Sequence, residues 1–232
     1  MQEKRKKDMR MRRKKNLETR LADSTAYLKI PTWPENRDFR LAAEKPEYLD
    51  LDGWFETPQP LWLEIGGGKG QFAIELAQRH PEVNILAVEK IANVVVGAAE
   101  KAAAAALPNL RFLNCSAEYL PRYLREHTVG RLFLNFSCPY PKKRYAGHRL
   151  TSERFLPIYA ALLQPGAEIH QKTDNRAFFE YSIEKLSAFG FTLKNISLDL
   201  HHSDFEGNIV TEYEKRFSDL GQPIYRLEAY LK

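Results

Sequence analysis

Short apolar runs alternate with stretches of helical spacing from residue 61 onward. The runs LWLEI, NILAVE, LRFLNC, RLFLNF and AEIHQKT predict strands at 61–65, 84–89, 110–115, 131–136 and 167–173. Apolar residues at helical spacing predict helices over 70–80, 91–107, 117–127, 152–163 and 175–189. Five such alternations predict an α/β fold with an open, doubly wound parallel sheet.

The two ends of the chain depart from this alternation. Residues 24–60 are rich in Pro and Trp and lack a sustained period, which indicates an irregular lead-in across the edge of the domain. Near the C-terminus, 191–200 and 223–231 have the pattern of strands, and 211–221 has that of a helix. We therefore expect a single domain over residues 24–232, preceded by a basic, flexible arm over residues 1–23.

Positive charge is concentrated in that arm. The first fifteen residues carry nine Lys or Arg and two acids, so their net charge is +7, whereas the rest of the 232-residue chain sums to −2. A cationic block of this kind often binds polyanions. The alternative is a solubilising tail or an overlong start, because all three methionines, Met1, Met9 and Met11, lie in this block.

Composition excludes several classes of protein. The chain is 44% hydrophobic and 28% charged, which is typical of globular domains, and no apolar run reaches the roughly 18 residues of a membrane span. The arm lacks the apolar region of a secretory signal. Two cysteines, Cys115 and Cys138, provide neither a disulfide framework nor the spacing of metal ligands, which indicates a cytoplasmic protein without a metal.

The segment LEIGGGKGQF contains the first predicted strand and begins the first helix of the sheet. Gly66, Gly68 and Gly70 would let the backbone turn sharply and let a ligand approach the amides at the helix start. A P-loop is excluded because Lys69 is followed by glycine instead of Ser or Thr. The dinucleotide fingerprint is matched only weakly.

Two acids beside this loop indicate which ligand it binds. Glu64 directly precedes the glycines, where a carboxylate would repel the pyrophosphate of NAD but attract the ammonium and sulfonium groups of S-adenosylmethionine. Glu89 ends the second strand, the place from which an acid binds ribose hydroxyls. We therefore predict S-adenosylmethionine as the cofactor; the alternative for each acid is an ordinary solvated strand end.

The residues after the third strand are candidates for contact with the adenine ring. Asn114, Ser116 or Glu118 would accept a hydrogen bond from its exocyclic amine. We expect Ala117, in the same segment, to bind the cofactor as well. Helix capping by Asn114 or Ser116 is the alternative. The sequence does not separate the two.

The segment LNFSCPYPKKR, residues 134–144, ends the fourth strand. Its two prolines fix φ and remove backbone donors, so the carbonyls and the Tyr140 ring form a rigid platform for a flat acceptor. Cations next to aromatic rings suit a substrate that stacks and carries phosphates, although a charged surface loop is the simpler alternative. This second basic cluster consists of Lys142, Lys143, Arg144, His148 and Arg149.

Several motifs occur in order along the chain: LEIGGGKGQF, LNFSCPYPKKR, HRLT, KTDN, GNIVTEYEKRF and GQPIYR, with MRMRRKK before them. Together they resemble the bacterial tRNA (guanine-N7-)-methyltransferase family. The resemblance implies a class I, Rossmann-like methyltransferase fold with a mostly parallel seven-stranded sheet and an antiparallel C-terminal strand. It also implies methyl transfer from S-adenosylmethionine to N7 of a guanine in the variable loop of tRNA.

The resemblance also assigns roles to residues. It implies that Glu64, the glycine loop, Glu89 and Ser116 bind the cofactor, although Ser116 stands where the family usually has Asp. Cys138 is a catalytic candidate by position only, because the family usually has a catalytic Asp there. Substrate contacts are implied for Lys142, Asp174, Thr211, Glu212, Tyr213 and Glu214, and Asp174 is also a catalytic candidate.

The chemistry of the base tolerates the missing Asp. Guanine N7 carries an in-plane lone pair and no proton, so attack on a methyl group requires positioning rather than a general base. We therefore expect Cys138 to be a packing or orienting residue and not a nucleophile. Capping remains the alternative at two sites: Asp174 as the N-cap of the next helix, and Thr211 with Glu214 as a capping box.

Three other functions stay open at this point. One is a nucleic-acid methyltransferase that modifies a base amino group, since Ser137–Tyr140 loosely resembles the corner of those enzymes. Another is a non-catalytic RNA-binding homologue, suggested by the two missing Asp residues. An NAD-dependent dehydrogenase is disfavoured by Glu64. The expected partner is tRNA, for a monomer or homodimer without membrane attachment.

Overall fold

The computed structural model describes residues 13–31 and 38–232. Its eight strands are β1 (Leu28–Lys29), β2 (Leu61–Ile65), β3 (Asn84–Val88), β4 (Leu110–Leu113), β5 (Val129–Asn135), β6 (Leu163–Thr173), β7 (Thr192–Ser197) and β8 (Tyr225–Tyr230). The described α-helices are α1 (Leu17–Asp23), α2 (Leu51–Trp54), α3 (Gln71–Arg79), α4 (Ala92–Ala104), α5 (Leu120–Tyr123), α6 (Leu156–Leu162), α7 (Arg176–Phe189) and α8 (Glu212–Ser218). Within these ranges no helix combines the length and the hydropathy needed to cross a membrane.

The predicted α/β architecture, with a mostly parallel sheet and an antiparallel C-terminal strand, is confirmed. The strands lie in the order β1-β4-β3-β2-β5-β6-β8-β7, and β8 is antiparallel to both of its neighbours. The prediction of seven strands omitted β1, which pairs in parallel with β4 at the sheet edge. Two residues in a stretch without periodicity gave no strand pattern.

Two helices are shorter than their periodicity predicted, and each has a proline in its first turn. α5 begins at Leu120 with Pro121 next, after a 3₁₀ turn at Ala117–Tyr119, and it ends at Tyr123 instead of continuing to 127. α6 begins at Leu156 with Pro157 next, four residues after the predicted start. Proline is favoured at the first helical positions and disfavoured further inside, so both helices start there.

The core is densest around the central strands. β3 is buried along its whole length, as expected for a parallel strand covered on both faces. The small alanine side chains of α4 let this helix pack closely against the sheet, and Ala98, Ala99 and Ala102 are fully buried. Because strands β2 to β6 are parallel, their carboxyl ends lie at one edge of the sheet, where the loops that follow them converge.

The described part of the predicted arm is not separate from the domain. Its residues 17–23 form α1, which packs on α4 through two hydrogen bonds from the Arg20 guanidinium to the Glu100 carboxylate, at 2.6 and 2.5 Å. Residues 17–23 of the arm therefore contact the domain, and the flexibility of the arm stays a prediction. Residues 1–12, with the three methionines and most of the cations, lie outside the described residues.

Candidate active site

The glycine loop between β2 and α3 adopts a backbone conformation that residues other than glycine rarely adopt. Gly66, Gly68 and Gly70 have φ of 87°, 55° and 78°, all in the left-handed region. At Gly70 a Cβ atom would lie only 2.7 Å from the Cβ of Ala98, so glycine also permits the contact between the loop and α4. The loop thus runs close to the sheet edge and exposes the start of α3.

Glu64 lies at the end of β2, directly before this loop, and is 3% exposed. Its Oε1 accepts a hydrogen bond from Asn135 Nδ2 at 3.3 Å, whereas its Oε2 has no partner in the described part of the chain. Burial raises the pKa of Glu64 to about 7, and the Asn135 hydrogen bond and the charge of Lys172 only partly oppose this. A buried carboxylate with a free oxygen is suited to receive a cationic ligand.

Glu89, immediately after β3, braces the loop from the other side. Its carboxylate accepts hydrogen bonds from the amides of Gly68 at 3.2 Å and Ile91 at 2.9 Å. Asn114 donates to the Glu89 carbonyl at 2.7 Å and is buried, so it supports this corner and does not line the cavity beside it. The Ser116 hydroxyl donates to the Glu118 carboxylate. Neither Asn114 nor Ser116 caps a helix with its side chain, which removes the capping alternative.

Two cavities flank the end of β5. Cavity A, of about 270 Å³, is lined by Gly66, Glu89, Ser116, Ala117, Cys138 and Tyr140, among others. Cavity B, of about 370 Å³, is lined by residues that include Glu64, Gly68, Lys69, Thr211, Glu212 and Tyr213. Gly66, Asn135 and Phe136 line both cavities, so the Phe136 residue forms a wall between them.

The turn after β5 is held in a strained backbone conformation. Phe136 and Tyr140 have φ of 49° and 40°, which are rare for aromatic residues and occur where the surroundings impose them. Arg149 fixes this turn, because its Nε donates to the Pro139 carbonyl at 2.9 Å and its guanidinium donates to the Tyr140 carbonyl at 3.1 Å. The Cys138 thiol is free and its residue is exposed.

Residues of α8 line cavity B, whereas Asp174 lies near Tyr213 but does not line the cavity. Asn175 is the N-cap of α7, since its side chain accepts from the Phe178 amide at 2.8 Å, so the capping alternative for Asp174 is wrong. Burial and, second, the charge of Asp174 raise the pKa of Tyr213, which lies in the first turn of α8. Tyr213 also contacts Phe136, with ring centroids 5.1 Å apart.

The run Thr211–Glu214 divides between the cavity and the interior. Thr211 caps α8 by accepting from the Glu214 amide at 3.0 Å, as one half of the predicted capping box. The Glu212 carboxylate is exposed and lies 3.8 Å from Lys69 Nζ. Glu214, by contrast, is fully buried and its carboxylate is 2.6 Å from Lys172 Nζ, so it does not face cavity B as a substrate contact requires.

The second basic cluster lies beside the cavities and contributes to them unequally. Lys142 precedes a 3₁₀ helix at Lys143–His148 and is exposed, and it lines neither cavity. His148 lines cavity A, with its ring 5.6 Å from that of Tyr140. Arg149 holds the turn after β5 instead of facing outward.

Sequence reasoning did not identify three residues of the site. Asn135 and Phe136 sat inside a predicted strand, and nothing in the pattern indicated that one would bond Glu64 or that the other would adopt positive φ. Lys172 offered a signal, because a lysine in an otherwise buried strand needs a buried partner. Its partner, Glu214, is 42 residues away, which is why spacing could not identify it.

The chain has close relatives among known methyltransferases. A family model described as "Putative methyltransferase" matches residues 58–227. The tRNA (guanine-N(7)-)-methyltransferase of Macrococcus caseolyticus is 48% identical, over 81% of this chain and 88% of its own. The protein of the same name from Listeria monocytogenes is 49% identical, over 75% of this chain and 82% of its own.

Structural comparison agrees with this at the level of fold. The crystal structure of the 16S rRNA methyltransferase KamB superposes with a TM-score of 0.57 at 18% identity, covering 87% of this chain and 95% of that one. The sequence matches extend over most of both chains at nearly half identity, and the family model covers most of this one. The chain therefore belongs to the family of tRNA (guanine-N(7)-)-methyltransferases.

Proposed function

We propose that this protein transfers a methyl group from S-adenosylmethionine to N7 of a guanine in the variable loop of tRNA. The observation that carries the proposal is the pair of cavities that share Phe136, with Glu64 buried beside them. Two ligands bound on either side of one side chain meet at its edge. That arrangement suits a direct transfer between a cofactor and a base.

The residues of cavity A, together with Glu64 and the glycine loop at the border with cavity B, fit S-adenosylmethionine. The Glu64 carboxylate has an unpartnered buried oxygen, among the described residues, that an ammonium group would satisfy. Glu89 retains acceptor capacity for ribose hydroxyls beyond its two amide bonds. The start of α3 offers free amides beside the loop. Ser116 and Ala117 also line cavity A, and the adenine would lie beside them.

Cavity B suits a purine base. The Phe136 and Tyr213 rings offer surfaces on which a guanine stacks, and base–aromatic stacking contributes about 1–3 kcal/mol. Glu212, in the lining of cavity B, and Asp174, near Tyr213, would supply acceptors for the N1–H and amino donors of guanine. Lys69 and Arg216 at the rim provide positive charge for the flanking phosphates.

The chemistry follows from holding the base in place. S-adenosylmethionine, when bound, supplies an electrophilic methyl group. The N7 lone pair needs no proton removed, so no residue has to act as a general base, and orientation alone can contribute roughly 7–11 kcal/mol. Asp174 and Glu212 stabilise the positive charge that develops on the methylated guanine. Cys138 lies in cavity A as an orienting residue and forms no bond to either ligand.

We further propose that the cationic block at residues 1–15 contacts tRNA phosphates, as an extension of a single domain. Lys142 and its neighbouring cations, exposed beside cavity A, would extend the same electrostatic contact. A tRNA substrate and two unpaired cysteines are consistent with action in the cytoplasm.

The experiment that tests the proposal maps the methylated atom. The protein is incubated with methyl-labelled cofactor and unmodified tRNA, and the product is cleaved chemically at N7-methylated guanines. We expect label and cleavage at one guanine of the variable loop. Label on a base amino group, or cofactor binding without any transfer, would contradict the proposal.

A further inference from the structure

Lys172, in β6, is a buried cation whose ammonium group is fully hydrogen-bonded. Its ammonium group has three protons and donates them to three partners: Asn208 Oδ1 at 2.9 Å, the Ile209 carbonyl at 2.8 Å and Glu214 Oε2 at 2.6 Å. All three partners belong to residues 208–214, the segment that leads into α8. Lys172 is only 6% exposed, so water does not replace these bonds.

Glu214 completes the network from the side of α8. Its other oxygen accepts from Asn208 Nδ2 at 2.7 Å and lies 3.1 Å from His201 Nε2. A carboxylate that is fully buried is tolerated only when it is paired and hydrogen-bonded. The first turn of α8 therefore has one position relative to β6, set by the Lys172–Glu214 pair.

The same lysine also supports the opposite wall of cavity B. Its carbonyl accepts a hydrogen bond from the Phe136 amide at 2.8 Å, at the point where Phe136 adopts a positive φ. Its ammonium lies 5.8 Å from the Phe136 ring centroid and 5.6 Å from that of Phe72. Lys172 itself lines neither cavity A nor cavity B.

We propose that Lys172 is a positioning residue that, through Glu214 and Phe136, holds the contacting Phe136 and Tyr213 rings in place and so shapes the slot, the part of cavity B that both rings border, which receives the guanine. This inference rests on the function proposed above. It gives Glu214 a supporting role behind the slot in place of a contact with the substrate. Misplacing the base by a fraction of its thickness after tRNA has bound would slow the transfer step itself.

The test distinguishes the loss of a charge from the loss of the hydrogen-bonded pair that Lys172 and Glu214 form. Glu214→Gln removes the charge but keeps a hydrogen-bond acceptor for Lys172. Lys172→Met combined with Glu214→Gln breaks the link without leaving an unpaired buried charge. Lys185→Met is the matched control, since it removes a lysine whose ion pair with Glu153 lies on the surface of α7. Calorimetry measures cofactor affinity and stoichiometry, and steady-state methylation gives kcat and KM for tRNA.

For the double variant we expect full cofactor stoichiometry, KM for tRNA within about threefold of the wild type, and kcat reduced by about tenfold or more. Glu214→Gln alone should retain about a third or more of kcat, and Lys185→Met should match the wild type. An unchanged kcat in the double variant would overturn the proposal. So would a loss of cofactor stoichiometry, because the pair would then support the whole domain and not the slot. A wild-type protein that transfers no methyl to guanine N7 would instead refute the proposed function.

Discussion

The side chain that most constrains the site is Glu64. Its carboxylate is buried beside the glycine loop, and this burial raises its pKa to about 7 despite the Asn135 hydrogen bond and the Lys172 charge, with Glu89 adding to the increase. A cation placed against the free oxygen would reverse the effect, because it stabilises the carboxylate. Binding of a cationic cofactor should therefore be coupled to the loss of one proton from Glu64.

That coupling predicts a pH dependence of cofactor affinity. Below about pH 7 Glu64 is protonated in the free protein, so binding must release the proton and Kd should rise by up to about tenfold per pH unit as the pH falls. Above this range Kd should level off, until the cofactor's own amino group, with a pKa of about 7.7–8.0, loses its proton and Kd rises again. Calorimetric titration with S-adenosylmethionine between about pH 5.5 and 8.5 measures this dependence.

Glu64→Gln is the control for that titration. It should bind the cofactor more weakly above about pH 7 and should show a flat profile below that pH, because the Glu64 carboxyl group is gone and the cofactor's amino group, with a pKa of about 7.7–8.0, stays protonated there. The same slope in the variant as in the wild type would mean that another group releases the proton.

Residues at the two ends of the reaction path should respond differently to truncation. We expect Cys138→Ala to retain methylation within about threefold, because the exposed thiol holds no charge-stabilising position. Asp174→Ala and Glu212→Ala should each lower kcat/KM by about tenfold or more, because they no longer stabilise the cationic product. Neither change removes a helix cap, since Asn175 and Thr211 cap α7 and α8. Methylation kinetics that rank these variants in the reverse order would refute the assignment.

Among the elements, the junction of β2 and α3 depends on one glycine for its packing. Gly70→Ala would add a Cβ 2.7 Å from Ala98 Cβ at a φ of 78°. We expect this variant to lose about 3 kcal/mol of the free energy of unfolding, from backbone strain plus overpacking against α4. Urea denaturation measures the loss.

Gly221→Ala isolates the backbone part of that effect. Gly221 has a φ of 71°, but an added Cβ would meet nothing within 4 Å. It should cost only about 1 kcal/mol, the penalty for a left-handed residue. Equal losses of unfolding free energy in the two variants would show that the close contact between α4 and the loop does not contribute to the effect of Gly70→Ala.

The elements that the sequence predicted well are those with long apolar periodicity. β2 to β6 and helices α3, α4 and α7 have such patterns, because burial on a regular face requires them. Three of the errors occurred where a local preference or a long-range pairing overrode periodicity: Pro121 and Pro157 set the start of α5 and α6, and β1 exists only because two residues pair with β4. A strand of two residues is too short to show an apolar period in the sequence, although it pairs across the sheet.

The sequence predicted the glycine loop of the candidate site but not the hydrogen bonds that join residues far apart in the chain. Glu64 and the three glycines were predicted as one turn, and the structure brings them together there, since their types and spacing determine how that turn folds. Asn135, Phe136 and Lys172 were missed because their roles depend on partners far along the chain, such as Glu64 and Glu214. Long-range contacts of this kind need the fold itself.

At the scale of the whole molecule, the proposed function assigns non-specific tRNA affinity to the amino-terminal block and catalysis to the domain that follows it. If the nine cations in residues 1–15 contact phosphates, tRNA affinity should fall steeply with salt. A protein that begins after Lys15 should show a shallower slope, by about one unit for each phosphate that the block would otherwise neutralise. Filter binding over a range of salt concentrations measures both slopes.

A full-length variant with serine in place of those nine cations is the matched control. It should reproduce the slope of the truncated protein, because charge and not chain length sets counterion release. If both altered proteins keep the wild-type slope, the amino-terminal block does not contact the phosphates.

The central claim is that the adenosyl group of the cofactor and the base lie on opposite sides of Phe136. A crystal structure of the protein with S-adenosylhomocysteine measures this most directly. We predict the adenosyl group in cavity A, with its ribose at Glu89, its adenine beside Ser116 and Ala117, and its amino acid end over residues 64–70. An adenosyl group in cavity B, or anywhere away from the glycine loop, would contradict the claim.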